Sequence, residues 1–300
     1  MTERRIKKIL VGLDGSDRAM AVVKYLSNIS SLNRCEIALM TVFDEIPQAY
    51  RDLAQQQYYR SRIREVMAWD TQHKRELEKQ VNAAKQILID KGIPEAAVTI
   101  RLRKRERGIA TDLIHEAGRL GYDAVAVGRR GVNQLTEMVL GSVSLKLMEK
   151  LHSKPLILVG REATPGRIIV GFDGSANAMR TVRFVAVALQ KSGFHVRLLH
   201  VVRSNDKDLK KVVQKDVGQQ FEAAKGIFTD YGFSLDNIET EILYGEESRS
   251  GAIVREARSG DYGTIAMGRR GLSKVEEFFM GRVTNKVAYM ARGLALWIVN

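Results

Sequence analysis

The chain has 300 residues, enough for about two domains at ~100–200 residues each. Apolar residues make up 45% and charged residues 28%, which excludes a disordered, collagen-like or coiled-coil chain. Forty-eight basic and 35 acidic residues leave a net charge of +13, spread over both halves of the chain. That fits a polyanionic partner (nucleic acid, an anionic membrane or a phosphorylated small molecule) or simply a solvated basic surface, and the even spread weakens the reading of a nucleic-acid-binding arm.

The first apolar run, Ile9–Leu13, is broken by Gly12 and runs into Asp14. It is too short for a signal-peptide core of about 7–15 apolar residues. No later run approaches the ~18 residues that a membrane span needs. The lone cysteine, Cys35, cannot form an internal disulfide, so an oxidising compartment is not implied and the cytoplasm is expected.

Strand and helix signals alternate along the chain. Ile6–Leu13 reads as a strand, Ala19–Ile29 as a helix and Glu36–Phe43 as a second strand. Residues 44–80 are polar and only weakly amphipathic. They fit an elongated second helix with solvated charges better than a lid over a ligand. Lys79–Asp90 is helical and stops at Gly92. Val98–Arg103, Asp123–Val127 and Pro155–Gly160 complete five strands, with helices expected at Ile109–Leu120 and Glu137–Leu151.

The chain then repeats itself. Ile9–Ser16 recurs as Ile168–Ser175, and Leu39–Val42 is echoed by Leu198–Val201. Beyond Ala83 the offset between the copies changes from 159 to 140, so the first copy carries 19 extra residues between Val42 and Ala83. The join falls near Gly160–Arg167, giving expected units of 1–161 and 166–300. Such alternation predicts βαβ units, a parallel sheet and helices on both faces. The second copy ends on a strand, Leu294–Val299, so the fifth-strand edge is expected to be covered by the sister domain.

In a doubly wound sheet, ligands sit beyond the carboxyl ends of the strands, where strand order reverses. Asp14 ends the first strand and Val42 the second. The fourth strand runs into Gly128-Arg129-Arg130-Gly131, and Gly141-Ser142-Val143 follows at a helix start. Glycines admit a phosphate close to the backbone, and a helix N-terminus offers free N–H groups and a positive dipole end. Asp173, Val201, Gly268, Gly271 and Gly281 repeat the pattern at the same spacing. Neither a Rossmann fingerprint nor a P-loop follows the first strand.

Gly128, Gly131, Gly141 and Ser142, with Asp14 before them, fit the Gly-x2-Gly-x9-Gly-Ser/Thr signature of the universal stress protein family, which this sequence resembles over nearly its whole length. The resemblance implies two tandem five-stranded α/β domains of the adenine nucleotide α-hydrolase-like kind, paired through their fifth strands as an intramolecular pseudo-dimer. It also implies ATP binding, with Mg²⁺ or Mn²⁺ held mainly by phosphate oxygens and water. Asp14 and Val42 would then lie at the adenosine end and Gly128 at the ribose. Gly131, Gly141, Ser142 and Val143 would wrap the phosphates, and the protein would act as a stress-response or signalling module with at most slow hydrolysis.

Arg129 and Arg130 each have two readings, a phosphate contact or a solvated side chain. Copy two places Arg282 where the signature has Ser/Thr, so Arg282 either pairs with a terminal phosphate or fills the pocket. The second reading, a weaker or empty second site with ATP mainly in copy one, is the expectation. Ser16 and Ser175 read as turn or helix-cap residues, and His200 as a packed strand histidine beside the site. The basic run Arg101–Arg107 is the best nucleic-acid candidate, yet copy two does not repeat it. No metal-ligand spacing and no catalytic triad is apparent. The competing functions are an interaction scaffold of the same fold and an ATP-dependent adenylylating enzyme. The latter's expected Ser-Gly-Gly-x-Asp-Ser or His-x-Gly-His element is missing after the first strand.

Overall fold

A computed structural model describes residues 5–53, 55–129, 140–271 and 280–300. In copy one the elements are β1 (Lys8–Leu13), α1 (Asp17–Ser27), β2 (Glu36–Phe43), α2 (Gln48–Leu53), α3 (Arg60–Asp90), β3 (Val98–Lys104), α4 (Ile109–Arg119), β4 (Ala124–Gly128), α5 (Ser142–Lys150) and β5 (Leu156–Val159). Copy two supplies β6 (Arg167–Gly171), α6 (Ala176–Ala188), β7 (His195–Val201), α7 (Lys207–Asp230), β8 (Ile238–Leu243), α8 (Arg249–Ser259), β9 (Thr264–Gly268), α9 (Arg282–Met290) and β10 (Ala295–Val299).

The ten strands form one sheet in the order β3-β2-β1-β4-β5-β10-β9-β6-β7-β8. Each half is parallel, and the halves meet where β5 and β10 pair antiparallel, with Ile157 opposite Trp297. The fifth strands therefore cover each other, as expected from a chain whose copies both end on apolar strands. Apart from the edge strands β3 and β8, the strands are largely buried on both faces and so read as near-continuous apolar runs. In β10, Ala295 and Trp297 enter the core under α1, α3, α6 and α7, while Leu296 and Ile298 enter the core under α4, α5, α8 and α9. Hydrogen bonds also cross the seam. Trp297 Nε1 donates to Tyr25 Oη at 3.0 Å, and Tyr25 Oη lies 2.8 Å from Thr264 Oγ1.

The extra residues of copy one form α2 and the first turns of α3, which has 31 residues against 24 in α7. The helix begins at Arg60 and runs on through Lys79–Asp90, the elongated second helix expected of this segment. Within it, Leu77, Val81, Ala84 and Leu88 are buried, but before Leu77 only Ile63 and Asp70 are. Tyr58 and Trp69 remain 85% and 65% exposed. Helix α5 starts at Ser142, not at Glu137, because Gly141 (φ −63°, ψ 149°) is its extended N-cap; residues 137–139 lie outside the described residues.

Candidate functional site

Within each half the strand order reverses between β1 and β4, and between β6 and β9. The loops that leave these four strands at their carboxyl ends therefore diverge and leave a crevice. In copy one, Asp14 follows β1, and its Oδ1 accepts from Ser16 N (3.1 Å) and Ser16 Oγ (2.6 Å). Ser16 in turn caps α1 by accepting from Ala19 N at 3.1 Å. Copy two repeats this with Asp173 Oδ1 accepting from Ser175 N, and Ser175 Oγ accepting from Ala178 N. Gly15 and Gly174 make the turn at φ +77° and +76°. A Cβ at either would also collide with Gln80 or Gln220, equivalent residues on α3 and α7. Asp14 and Asp173 are thus held at the mouth of the crevice by the caps of the helices that follow them.

The described ends of the glycine segments are joined by hydrogen bonds. Gly141 N donates to Arg129 O at 2.9 Å, and Ser144 Oγ donates to Gly128 O at 2.8 Å. Copy two makes the same closure, from Gly281 N to Arg269 O and from Thr284 Oγ1 to Gly268 O. These bonds bring the two ends of each loop together. Whereas α1 and α6 are capped by serine side chains, α5 and α9 start at glycines with no side-chain cap. Their first N–H groups precede the intrahelical ladder, and in copy two the residues that open α9, Gly281, Arg282 and Val283, line a cavity. Ser142 and Val143 lie in that first turn of α5; Gly131 and Arg130 lie outside the described residues.

Copy two encloses a cavity of about 570 Å³, within the range of small-ligand sites. Leu209, Val213, Ile253 and Met267 give it an apolar side, and Asp173, Arg249, Arg270 and Arg282 give it charge. Val201, Gly268, Gly271 and Gly281 line it as the repeat predicts. Arg282 is among the residues that line this cavity. A Cβ at Gly271 would collide with Asp173 Oδ2, so the glycine is what lets the loop approach the carboxylate. His200 also lines the cavity, its Nδ1 2.8 Å from Phe172 O. Burial pushes its imidazole below the usual value, against the pull of the Phe172 carbonyl and Asp173.

Arg129 is not placed as a phosphate ligand. It and its equivalent Arg269 are each 5% exposed and reach across the seam into the other half. Arg129 Nη2 donates to Ala288 O in the last turn of α9. Arg269 donates to Met148 O and to Leu151 O (2.6 Å) at the end of α5, and to Asn300 Oδ1. Burial, with Arg270 adding to it, pushes the Arg269 guanidinium down to about 10. The basic run is likewise engaged locally. Arg101 lies 3.1 Å from Glu116, Lys104 2.6 Å from Glu45 and Arg105 2.8 Å from Asp44.

Sequence reasoning missed Arg249. Its signal was available, because α8 repeats α4 at an offset of 140 and puts Arg249 where copy one has Ile109. Among the described residues, no group of three or more His, Cys, Asp or Glu is placed to hold a metal ion, and no helix is long and apolar enough to cross a membrane.

Comparison with known proteins follows the same division of the chain. No curated protein matches it. Among solved structures, a universal stress protein from Archaeoglobus fulgidus covers 98% of this chain and 96% of its own, at 18% identity and a TM-score of 0.63. A functionally unknown protein from Pseudomonas aeruginosa covers 99% and 93%, at 16% identity and a TM-score of 0.60. A shorter A. fulgidus universal stress protein, solved in complex with dAMP, covers 46% of this chain and 99% of its own, at 20% identity and a TM-score of 0.36. The Universal stress protein family matches twice, over residues 5–159 and again over 165–292. The chain belongs to the universal stress protein family and carries two copies of its domain in tandem.

Proposed function

We propose that this protein binds adenine nucleotide at the carboxyl ends of its strands, as a nucleotide-dependent stress-response or signalling module built from units 1–161 and 166–300. The observation that carries this reading is the pair of self-closed glycine loops, each delivering an uncapped helix N-terminus to the crevice at a strand-order reversal. A helix start of that kind favours phosphate through its N–H groups and dipole. In copy one, Gly141, Ser142 and Val143 hold the phosphates of ATP, with the Ser142 hydroxyl as an added donor. Gly131 belongs to the same loop by sequence. Asp14 and Val42 take the adenosine end, with Gly128 beside the ribose. Mg²⁺ or Mn²⁺ accompanies the phosphates and is held chiefly by them and by water.

The two sites differ in ATP affinity, since copy two replaces Ser142 by Arg282. Equilibrium binding of ATP to the purified full chain tests this. One strong site, abolished by Gly141→Val, is the expected result. Two equal sites would remove the asymmetry, and unchanged affinity in the variant would remove the site assignment. Nucleotide released by heat from the protein as isolated, identified by mass, separates this reading from a scaffold whose loops are purely structural.

A further inference from the structure

The two crevices share a backbone but not a charge. Position for position, copy two has Arg249 for Ile109, Arg282 for Ser142 and His200 for Thr41. The loop sequences 131–140 and 271–280 each carry one net negative charge, so they do not cancel the difference. At these lining positions copy two gains two arginines that copy one lacks.

The added arginines sit at opposite ends. Arg282 opens α9, beside the loop that closes on Arg269 O at the end of β9. Arg249 opens α8, and its Nε donates to Val201 O at 3.1 Å, at the carboxyl end of β7. Strands β9 and β7 flank β6, so the two anchor points are about 10 Å apart at ~4.8 Å per strand spacing. Arg249 and Arg282 both line the one cavity, together with the apolar Leu209, Val213, Ile253 and Met267. Guanidinium is the side chain best matched to phosphate, and an arginine near the ribose is how dinucleotide folds accept an extra ribose phosphate.

We propose that the copy-two cavity is a site for a doubly phosphorylated nucleoside, with one phosphate at the 5′ end held by the Gly268–Gly271 and Gly281 backbone and Arg282. The second phosphate, on a ribose hydroxyl, is held by Arg249. This rests on the nucleotide reading of the fold and assigns the second copy a ligand class of its own.

The test uses the full chain and isothermal titration with adenosine 3′,5′-bisphosphate, adenosine 2′,5′-bisphosphate, AMP and ATP. The wild type should bind one bisphosphate per chain at least tenfold tighter than AMP, with the preferred isomer naming the ribose position. Arg249→Ile, which installs the copy-one residue at an exposed position, should abolish that preference and leave AMP binding within about twofold. Gly141→Val should leave the bisphosphate affinity unchanged. A bisphosphate that binds no better than AMP, while ATP still binds copy one, overturns this proposal and leaves the nucleotide reading standing. So does a preference that survives Arg249→Ile. Failure of every nucleotide to bind the wild type overturns both.

Discussion

Replacing Arg269 by Met tests whether the buried guanidinium groups hold the halves together. Three hydrogen bonds are lost, to Met148 O, Leu151 O and Asn300 Oδ1. Bonds from a charged donor contribute about 1.5–3 kcal/mol each, so the gross loss is about 5–9 kcal/mol. Against this, Met removes a cation that burial penalises. A fall from 12.5 to about 10 corresponds to about 3 kcal/mol at 1.36 per unit. Methionine also recovers part of the packing. The net expectation is a destabilisation of about 2–5 kcal/mol. Trp297, buried in β10 at the seam, is the natural reporter, while the other tryptophan, Trp69, is 65% exposed and changes little on unfolding. Denaturant titration followed by tryptophan fluorescence should show the midpoint falling with the slope unchanged. Arg269→Lys should fall between, because an ammonium cannot serve three acceptors in a fork. Arg129→Met should behave alike through Ala288. A stability within about 0.5 kcal/mol of wild type in Arg269→Met would show that these bonds are not net stabilising, as can happen for buried charges.

Two further outcomes follow from the same geometry. Gly271→Ala forces a methyl group against Asp173 Oδ2, so nucleotide affinity at copy two should fall about tenfold or more, roughly 1.4 kcal/mol, with the melting temperature little changed; isothermal titration and calorimetry read the two effects separately. Cys35 is 1% exposed, its Sγ donates to Ile6 O, and burial pushes its thiol from 9.0 up to about 12. Its folded value lies above its unfolded one, so its contribution to stability is complete below about pH 9 and is lost as pH rises toward 12. Burial raises the Tyr25 phenol as well, which acts in the same direction. A thiol reagent at pH 8 should therefore label Cys35 only after unfolding, and rapid labelling of the native protein would contradict its placement.

The features legible in the sequence are those written in local pattern. The repeat located both crevices, and apolar fifth strands announced the β5–β10 seam, since a strand buried on both faces cannot be left as an edge. Serines after Asp-Gly announced the caps of α1 and α6. What the pattern missed depends on contacts between distant residues. The elongated helix of copy one was expected, but its first turns have few buried positions, so no apolar period fixes its start at Arg60. Arg129 and Arg269 lie inside a phosphate-binding motif by sequence, yet their acceptors lie 159 and 121 residues away, in the other half. Local spacing cannot tell a side chain aimed at a ligand from one aimed at the sister domain. Arg249 could have been found only by comparing the copies and asking why Ile109 has no apolar counterpart.

The same comparison explains the basic run, and it can be tested by exchange. Helices α4 and α8 each carry a glutamate at the equivalent position, Glu116, which is buried, and Glu256, which is partly buried. A carboxylate there needs a cation, and the copies supply it from different strands. In copy one it comes from Arg101 on β3, at 3.1 Å, where copy two has Glu241. In copy two it comes from Arg197 on β7, 3.8 Å from Glu256 and also paired with Glu239 and Glu241, where copy one has Ala38. Removing Arg197 leaves three partly exposed carboxylates without their shared cation, so Arg197→Ala should destabilise by about 1–2 kcal/mol, the pairs being screened by solvent. Adding Glu241→Arg rebuilds the copy-one solution inside copy two and should recover most of that loss. The double variant also removes one of the three acidic groups that Arg197 served. If Glu241→Arg rescues nothing in denaturant titration, the two networks are not interchangeable. The arginines of β3 would then need an explanation outside their own domain.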